Sequence, residues 1–166
     1  MKKKKEPYVF VRDQEKEVIS RLERFCAYTE RCEADIIKKL REWKVPEEYY
    51  PEMLEYLREW RFVDQDRYGR LFANGKFKLK GWGKQKIRLN LSARQVDETI
   101  ISEVLDEMDE DSYIGKLDQL LTRKRALMKE ADIFILKNKL YRFAVQKGYE
   151  PALVINWLDK HLPVKE

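Results

Sequence analysis

Apolar side chains recur at every third or fourth position along most of the chain, which is the spacing of helices that bury one face. The pattern predicts nine helices separated by short breaks, and hence an all-α protein. The expected inward positions, helix by helix, are Val18, Leu22, Phe25 and Cys26; Ile36, Ile37 and Leu40; Tyr50, Leu54 and Leu57; Tyr68, Leu71, Phe72, Gly75 and Leu79; Ile87 and Leu91; Ile100, Ile101, Val104, Leu105 and Met108; Ile114, Leu117, Leu120 and Leu121; Ile133, Phe134, Leu136, Leu140 and Phe143; and Val154, Ile155, Trp157, Leu158 and Leu162.

Residues suited to helix ends mark several of the breaks. Asp64 is a good N-cap for the fourth helix, and Gly148 fits the position just after the end of the eighth. Glu150 followed by Pro151 is typical of the start of a helix, here the ninth. Pro51 lies early in the third helix, where it predicts an irregular first turn.

The nine predicted helices fall into three sets of three. Equivalent positions in successive sets lie 51 and then 53 residues apart, a period typical of stacked helical units. The aligned triplets are Ile36, Ile87 and Leu140; Leu40, Leu91 and Ala144; Val45, Val96 and Tyr149; Tyr50, Ile101 and Val154; and Leu54, Leu105 and Leu158. We therefore expect three tandem three-helix repeats in an elongated, curved array. Their predicted limits are a flexible basic N-terminal tail at 1–14 and repeats at 15–62, 63–109 and 110–166.

The composition excludes several classes of protein. Charged residues make up 39% of the chain, with only six Gly and five Pro, which favours helices. No apolar run approaches the roughly 20 residues of a membrane span, and no apolar segment follows the initial lysines as in a signal peptide. Cys26 and Cys32 are too few for a zinc site or a disulfide scaffold. We expect a cytoplasmic protein with free thiols, buried in the core or, as an alternative, active in redox chemistry.

Charge is strongly segregated along the sequence. Residues 64–91 carry a net charge of +6, whereas residues 92–111 carry −7. Such segregation suggests an anionic partner for one face and a basic partner for another. The alternative is that these charges only keep helix surfaces solvated.

No constellation of catalytic residues stands out. His161, the only histidine, is expected to be a cation at a helix end rather than a general base. Residues 81–83 read Gly-Trp-Gly, but the third glycine and the preceding strand of a nucleotide-binding loop are missing. We expect neither enzymatic activity nor a metal or other cofactor.

The most distinctive chemistry is a group of basic residues near a tryptophan. The candidate binding residues are Arg67, Arg70, Lys76, Lys78, Lys80, Trp82, Lys84, Lys86 and Arg88. Cations interleaved with Trp82 and Phe77 suit phosphate contacts combined with base stacking. We expect Lys84 and Arg88 to point outward, so that packing does not require them, and the amides of a helix opened by Gly83 to attract anions. The alternative for Trp82 is a packing role between repeats, and for the lysines a solvated surface.

Two stretches of the chain resemble the RecX family. Residues 61–72, RFVDQDRYGRLF, resemble its central motif, in which an aromatic or aliphatic pair precedes D-[DE]-x-[RK]-[FY]-A. Residues 78–88, KLKGWGKQKIR, resemble its following K-x-x-G-x-x-[KR]-I-[KR] stretch. The chain has Gly69 where the family often has Ala, Gln95 where it commonly has Gly, and an unusual Pro51. Three three-helix repeats are also the family's fold, so the resemblance extends over about residues 15–162.

The resemblance implies a role in DNA repair and the SOS response. RecX-like proteins are negative modulators of the RecA recombinase, and are thought to lodge in the groove of the RecA filament on single-stranded DNA. There they inhibit strand exchange, ATP hydrolysis and coprotease action. We therefore expect a monomer that binds the filament, and single-stranded DNA directly or within it. The alternatives are a nucleic-acid-binding repeat protein without RecA specificity, and an enzyme with an unrecognised site.

Overall fold

A computed structural model describes residues 13–163, and this part of the chain is helical with no strand. The predicted all-α class is confirmed. The helices are α1 (Asp13–Tyr28), α2 (Glu33–Glu42), α3 (Tyr50–Glu59), α4 (Gln65–Lys80), α5 (Lys84–Ser92), α6 (Glu98–Asp106), α7 (Glu110–Ala126), α8 (Ile133–Lys147) and α9 (Pro151–His161). Of the predicted tail, residues 13 and 14 belong to α1, and residues 1–12 lie outside the described part.

The chain forms two compact units. Unit 1 extends to Tyr68 and includes Arg94–Val96, whereas unit 2 comprises Gly69–Ala93 and the chain from Asp97 onward. The division falls within α4, so it does not follow the predicted limits of the repeats. The partition into three repeats stays a prediction.

The core of unit 1 is built from the inward faces of α1, α2 and α3. Its buried members are Ile19, Leu22, Cys26, Ile36, Leu40, Tyr50, Met53, Leu54, Leu57 and Val63. Ile19 rather than Val18 is the buried residue in the first turns of α1. A single 3-10 turn, Glu47–Tyr49, leads into α3, and Pro51 lies within the first turn of that helix, where its missing N–H costs no intrahelical bond.

The core of unit 2 contains Tyr113, Leu117 and Leu121 of α7, which are spaced four residues apart. On α8 the buried positions are Leu136, Leu140 and Ala144, and α9 contributes Val154, Trp157 and Leu158. Leu140, Trp157 and Leu158 therefore pack together as predicted.

Several residues predicted to point inward are instead exposed. Phe134 is 61% exposed because it lies two residues from the buried row of α8, and Ile114 lies one residue from the row of α7. Ile155 on α9 is also exposed. On α4, Leu71 is exposed and Leu79 is 83% exposed, because this helix buries Tyr68 and Ala73 instead. In each case the error is one of helix face and not of helix type.

Residues in the left-handed conformation follow five of the helices. Gly81 after α4 and Gly148 after α8 have φ of 62° and 93°, so the predicted role of Gly148 is confirmed. Lys44, Arg61 and Gln95 have φ of 57°, 56° and 60°, a conformation that costs a non-glycine residue about 1–2 kcal/mol. Gln95 thus keeps the backbone shape that glycine favours, without being glycine.

Candidate functional site

The predicted binding residues lie on α4, α5 and the connection between them, which is residues 81–83. Arg67 belongs to unit 1 and the other eight belong to unit 2. The structure divides them into residues bound by the protein's own carboxylates and residues that carry no such partner.

Arg67 is held by its own unit. Its Nε donates to Glu30 Oε1 at 2.5 Å and its Nη2 to the carbonyl of Arg61 at 3.0 Å. The bond to Glu30 raises the pKa of the Arg67 guanidinium. The backbone N–H of Arg67 donates to Asp64 Oδ1 at 3.0 Å, which confirms Asp64 as a cap of α4 and lowers the pKa of its carboxyl. Arg67 therefore has a structural role at the start of α4.

Three further basic residues pair with the acidic segment 92–111. Arg70 forms an ion pair with Glu107, and Arg88 forms one with Glu98. Lys84 Nζ lies 3.3 Å from a carboxylate oxygen of Glu110. Much of the charge segregation seen in the sequence is thus neutralised within unit 2.

Lys84 is also more enclosed than its position on α5 suggested. Its side chain is 22% exposed, and its Nζ lies 4.9 Å from the centroid of the Tyr113 ring. The interpretation of Lys84 and Arg88 as outward charges that packing does not require is therefore wrong for Lys84. Reversing the charge of Lys84 would place a carboxylate beside Glu110, so a loss of binding in that variant could reflect misfolding.

The remaining cations surround Trp82, whose ring is partly exposed. Lys76 Nζ lies 5.2 Å from the Trp82 centroid and 5.2 Å from that of Phe72, which meets Trp82 edge-on at 6.3 Å. Lys86 Nζ lies 4.9 Å from the Trp82 centroid and donates to the carbonyl of Gln146 at 3.1 Å. Phe77, the other ring expected to stack, packs against the core of unit 2 instead.

Lys78 and Lys80 are the most exposed cations of the group. Within residues 13–163, neither has a carboxylate at ion-pair distance. Their backbone carbonyls lie at the C-terminal end of α4, where the helix dipole is negative. Lys116 Nζ donates to the carbonyl of Lys78 at 3.2 Å, and Lys147 Nζ donates to that of Lys80 at 3.2 Å.

The sequence did not identify Lys116 and Lys147 as part of this surface. The only signal was the net charge of +5 in residues 112–166, which does not say where those cations lie in space. Together with Lys76, Lys78, Lys80 and Lys86, they form what we call the lysine surface, six ammonium groups around the end of α4 and Trp82.

The N-terminus of α5 is already occupied by the protein. Gly83 N–H donates to the carbonyl of Lys147 at 2.8 Å, and Gln85 N–H donates to that of Gly148 at 3.1 Å. Lys84 N–H donates to the Tyr113 hydroxyl at 3.0 Å, and that hydroxyl donates to Glu150 Oε2 at 2.7 Å. The expectation that these amides attract an external anion is wrong, because each already has an acceptor.

Other candidate groups lie in structural positions. The His161 ring stacks on Trp157 at 4.2 Å, with Nε2 3.6 Å from Asp118 Oδ1 at the end of α9. Cys26 and Cys32 are buried free thiols, and burial raises the pKa of Cys26 to about 11. A thiol with so high a pKa is a poor nucleophile and a poor redox group.

The described ranges hold neither a metal-ligand cluster nor a membrane-spanning helix. Between residues 13 and 163, no three His, Cys, Asp or Glu side chains gather as metal ligands would. None of the helices in that part of the chain combines the length and apolarity needed to cross a bilayer.

Comparison with known proteins finds RecX proteins by sequence and a shared fold by structure. A model of the second three-helix domain of RecX matches residues 64–105. The regulatory protein RecX of Clostridium beijerinckii is 27% identical over 138 residues, which cover 82% of this chain and 64% of that protein. RecX of Clostridium tetani is 29% identical over 135 residues, which cover 72% and 62%. The chain thus spans a little under two thirds of the length of these relatives.

A crystal structure of a regulatory protein RecX superposes on the chain with a TM-score of 0.82 at 22% identity. The match covers 90% of this chain and 74% of the other. At this identity the likeness shows a shared fold.

Proposed function

The chain belongs to the RecX family, and from this premise we propose that it binds the RecA filament on single-stranded DNA and negatively modulates RecA. The activities lowered would be recombination, ATP hydrolysis and coprotease action. The protein would act in the cytoplasm as a monomer, by occupying a surface and without chemistry of its own. Relatives carrying the name regulatory protein support this proposal.

The lysine surface is the observation that carries the proposal. Its ammonium groups gather at one end of α4, and no carboxylate in the described part of the chain forms an ion pair with them. Cations left without internal counter-ions favour a polyanion, and the partly exposed Trp82 ring adds a face on which a base can stack. Of the nine predicted residues, Lys76, Lys78, Lys80, Trp82 and Lys86 are therefore the ones we propose as ligands.

Arg70, Lys84 and Arg88 have a different proposed role. Each would have to leave a carboxylate of residues 98–110 before it could bind a phosphate. We propose that they hold α6 and the start of α7 in place beneath the lysine surface.

The decisive experiment measures ATP hydrolysis by RecA on single-stranded DNA with increasing amounts of this protein. The test variant is Lys78→Gln with Lys80→Gln, since both side chains are exposed and glutamine adds no negative charge at the C-terminal end of α4. The matched control is Lys129→Gln with Lys160→Gln, which changes the net charge equally at two other exposed lysines. We expect the wild type and the control to inhibit alike, and the test variant to need at least tenfold more protein.

A second measurement separates the alternative function. A nucleic-acid-binding protein without RecA specificity would bind naked single strands but leave ATP hydrolysis unchanged at saturating DNA. If the Lys78 and Lys80 variant inhibits RecA at wild-type concentrations, the lysine surface is not the site. The acidic segment 92–111 would then be the better candidate, facing a basic surface of RecA.

A further inference from the structure

The lysine surface continues beyond the motif residues, onto the ends of α7 and α8. Phe143 on α8 packs in part against the core of unit 2, as Phe77 does, but unlike Phe77 it has two cations near its ring. Lys124 Nζ lies 5.2 Å from its centroid and Lys147 Nζ lies 5.8 Å from it. The arrangement repeats what is seen at Trp82, where Lys76 and Lys86 lie 5.2 and 4.9 Å from the ring.

Hydrogen bonds connect the two aromatic positions. Lys147, one of the two cations at Phe143, donates to the carbonyl of Lys80, two residues before Trp82. Lys86, one of the two at Trp82, donates to the carbonyl of Gln146 on α8. The two rings and their cations therefore belong to one continuous surface within unit 2.

The lysines of α8 differ in whether they form an ion pair. Lys137 and Lys139 pair with Asp159 and Glu130 at 2.9 and 2.7 Å. Among residues 13–163, by contrast, no carboxylate forms an ion pair with Lys124 or Lys147. The same helix thus carries compensated lysines and, beside Phe143, an uncompensated one.

We propose that Lys124, Phe143 and Lys147 form a second contact site for a single-stranded nucleic acid, continuing the path that begins at Trp82. The two lysines would bind successive phosphates, and the Phe143 ring would stack on an unpaired base. A duplex fits less well, because its bases are already stacked and offer no free face to a ring. The inference rests on the proposed function for the ligand class, and places part of the contact on residues outside the family motif.

The test uses a 30-nucleotide oligo(dT) labelled with fluorescein and no RecA. Anisotropy titrations at several salt concentrations give the affinity and its salt dependence. Lys124→Gln with Lys147→Gln should weaken binding and lower the slope of log affinity against log salt by about 0.7 for each phosphate that is no longer bound. Lys137→Gln with Lys139→Gln is the control, which also removes two charges, both from α8, and should leave the slope unchanged.

Phe143→Leu separates stacking from charge. Leucine keeps an apolar side chain against the core of unit 2 while the aromatic face is removed, and a melting curve of the variant checks that it remains folded. We expect affinity to fall about fivefold or more, with the salt slope unchanged. A competing duplex of equal length should displace the strand from the wild type poorly, and equal displacement would overturn the stacking part of the proposal.

Photo-crosslinking provides a readout on the unmodified protein. A strand carrying 5-iodouracil should crosslink to the tryptic peptide that begins at Phe143, since Arg142 and Lys147 flank it. Wild-type affinity and slope in the Lys124 and Lys147 variant, or no crosslink at this peptide, would overturn the inference. If the inference fails in this way but the Lys78 and Lys80 variant no longer inhibits RecA, the proposed function is supported and only the second contact site is rejected. If the wild type does not bind the naked strand, the inference fails whatever the RecA assay shows.

Discussion

Gly83 is a residue whose replacement should strongly destabilise unit 2. A Cβ added there would lie 2.3 Å from both the carbonyl carbon and oxygen of Gly148, and 2.5 Å from the nitrogen of Tyr149. All three are backbone atoms, so no side chain can rotate away. Gly83→Ala therefore forces the start of α5 and the end of α8 apart by about 1 Å, since ordinary contact begins near 3.5 Å.

The loss of stability follows from the hydrogen bonds that this separation breaks. Two hydrogen bonds join the helix ends, Gly83 N–H to Lys147 at 2.8 Å and Gln85 N–H to Gly148 at 3.1 Å. Each is worth about 1 kcal/mol, and overpacking adds about 1–3 kcal/mol. We expect Gly83→Ala to lower the free energy of unfolding by about 3–5 kcal/mol.

Gly75→Ala is the matched control. Gly75 is inside α4, and a Cβ added to it would have no neighbouring atom within 4 Å outside the helix's own backbone. Alanine there should raise the free energy of unfolding by about 1 kcal/mol, the difference in helix propensity. Urea unfolding followed by circular dichroism measures both variants. If the stability of Gly83→Ala lies within about 1 kcal/mol of the wild type, the close approach of the two backbones does not exist in solution.

Further predictions concern stability and reactivity. Gln95→Gly should raise the free energy of unfolding by about 0.5–1 kcal/mol in urea titrations, as relief of the left-handed conformation outweighs glycine's added chain entropy. Trp157→Ala should lower it by about 3–5 kcal/mol, whereas an unchanged melting temperature would contradict the burial of its ring. The Thr99 hydroxyl lowers the pKa of the cap Asp97, and the backbone N–H of Ser112 lowers that of the cap Asp109. The stabilisation by both caps is therefore present above about pH 4 and is lost as pH falls below it. In urea titrations from about pH 6 to pH 2.5, Asp97→Ser should flatten this loss. Cys26, whose pKa burial raises to about 11, should react with a thiol reagent at about pH 8 only after unfolding; rapid reaction of the native protein would contradict its burial.

Helix positions and helix ends could be predicted from sequence because they depend on nearby residues. Asp64 caps α4 through an N–H three residues away, and Gly148 ends α8 through its own backbone. Phe134 was misplaced because apolar residues on both sides of a buried row satisfy a helical period equally well, and only packing decides between them.

The candidate site was less predictable, because whether its cations and amides are free to bind a ligand depends on residues that are distant in the sequence. The basic motif could be read directly, but the ion pair of Arg70 with Glu107 and that of Lys84 with Glu110 join different helices. The amides that open α5 look available to an anion in the sequence, whereas the carbonyls of Lys147 and Gly148 lie against them in the fold. Such pairings follow from tertiary structure, which a period of apolar residues does not encode.

The left-handed turns also bear on how the protein opens. Lys44, Arg61 and Gln95 all belong to unit 1, whereas Gly81 and Gly148, which adopt this conformation without penalty, belong to unit 2. Each non-glycine turn stores about 1–2 kcal/mol, which unit 1 recovers when it opens locally. Limited proteolysis should therefore cut first within unit 1, and amide protons there should exchange with deuterium sooner than those of α5, α7 and α8. The lysine surface would then stay ordered during excursions in which part of the molecule is already unfolded.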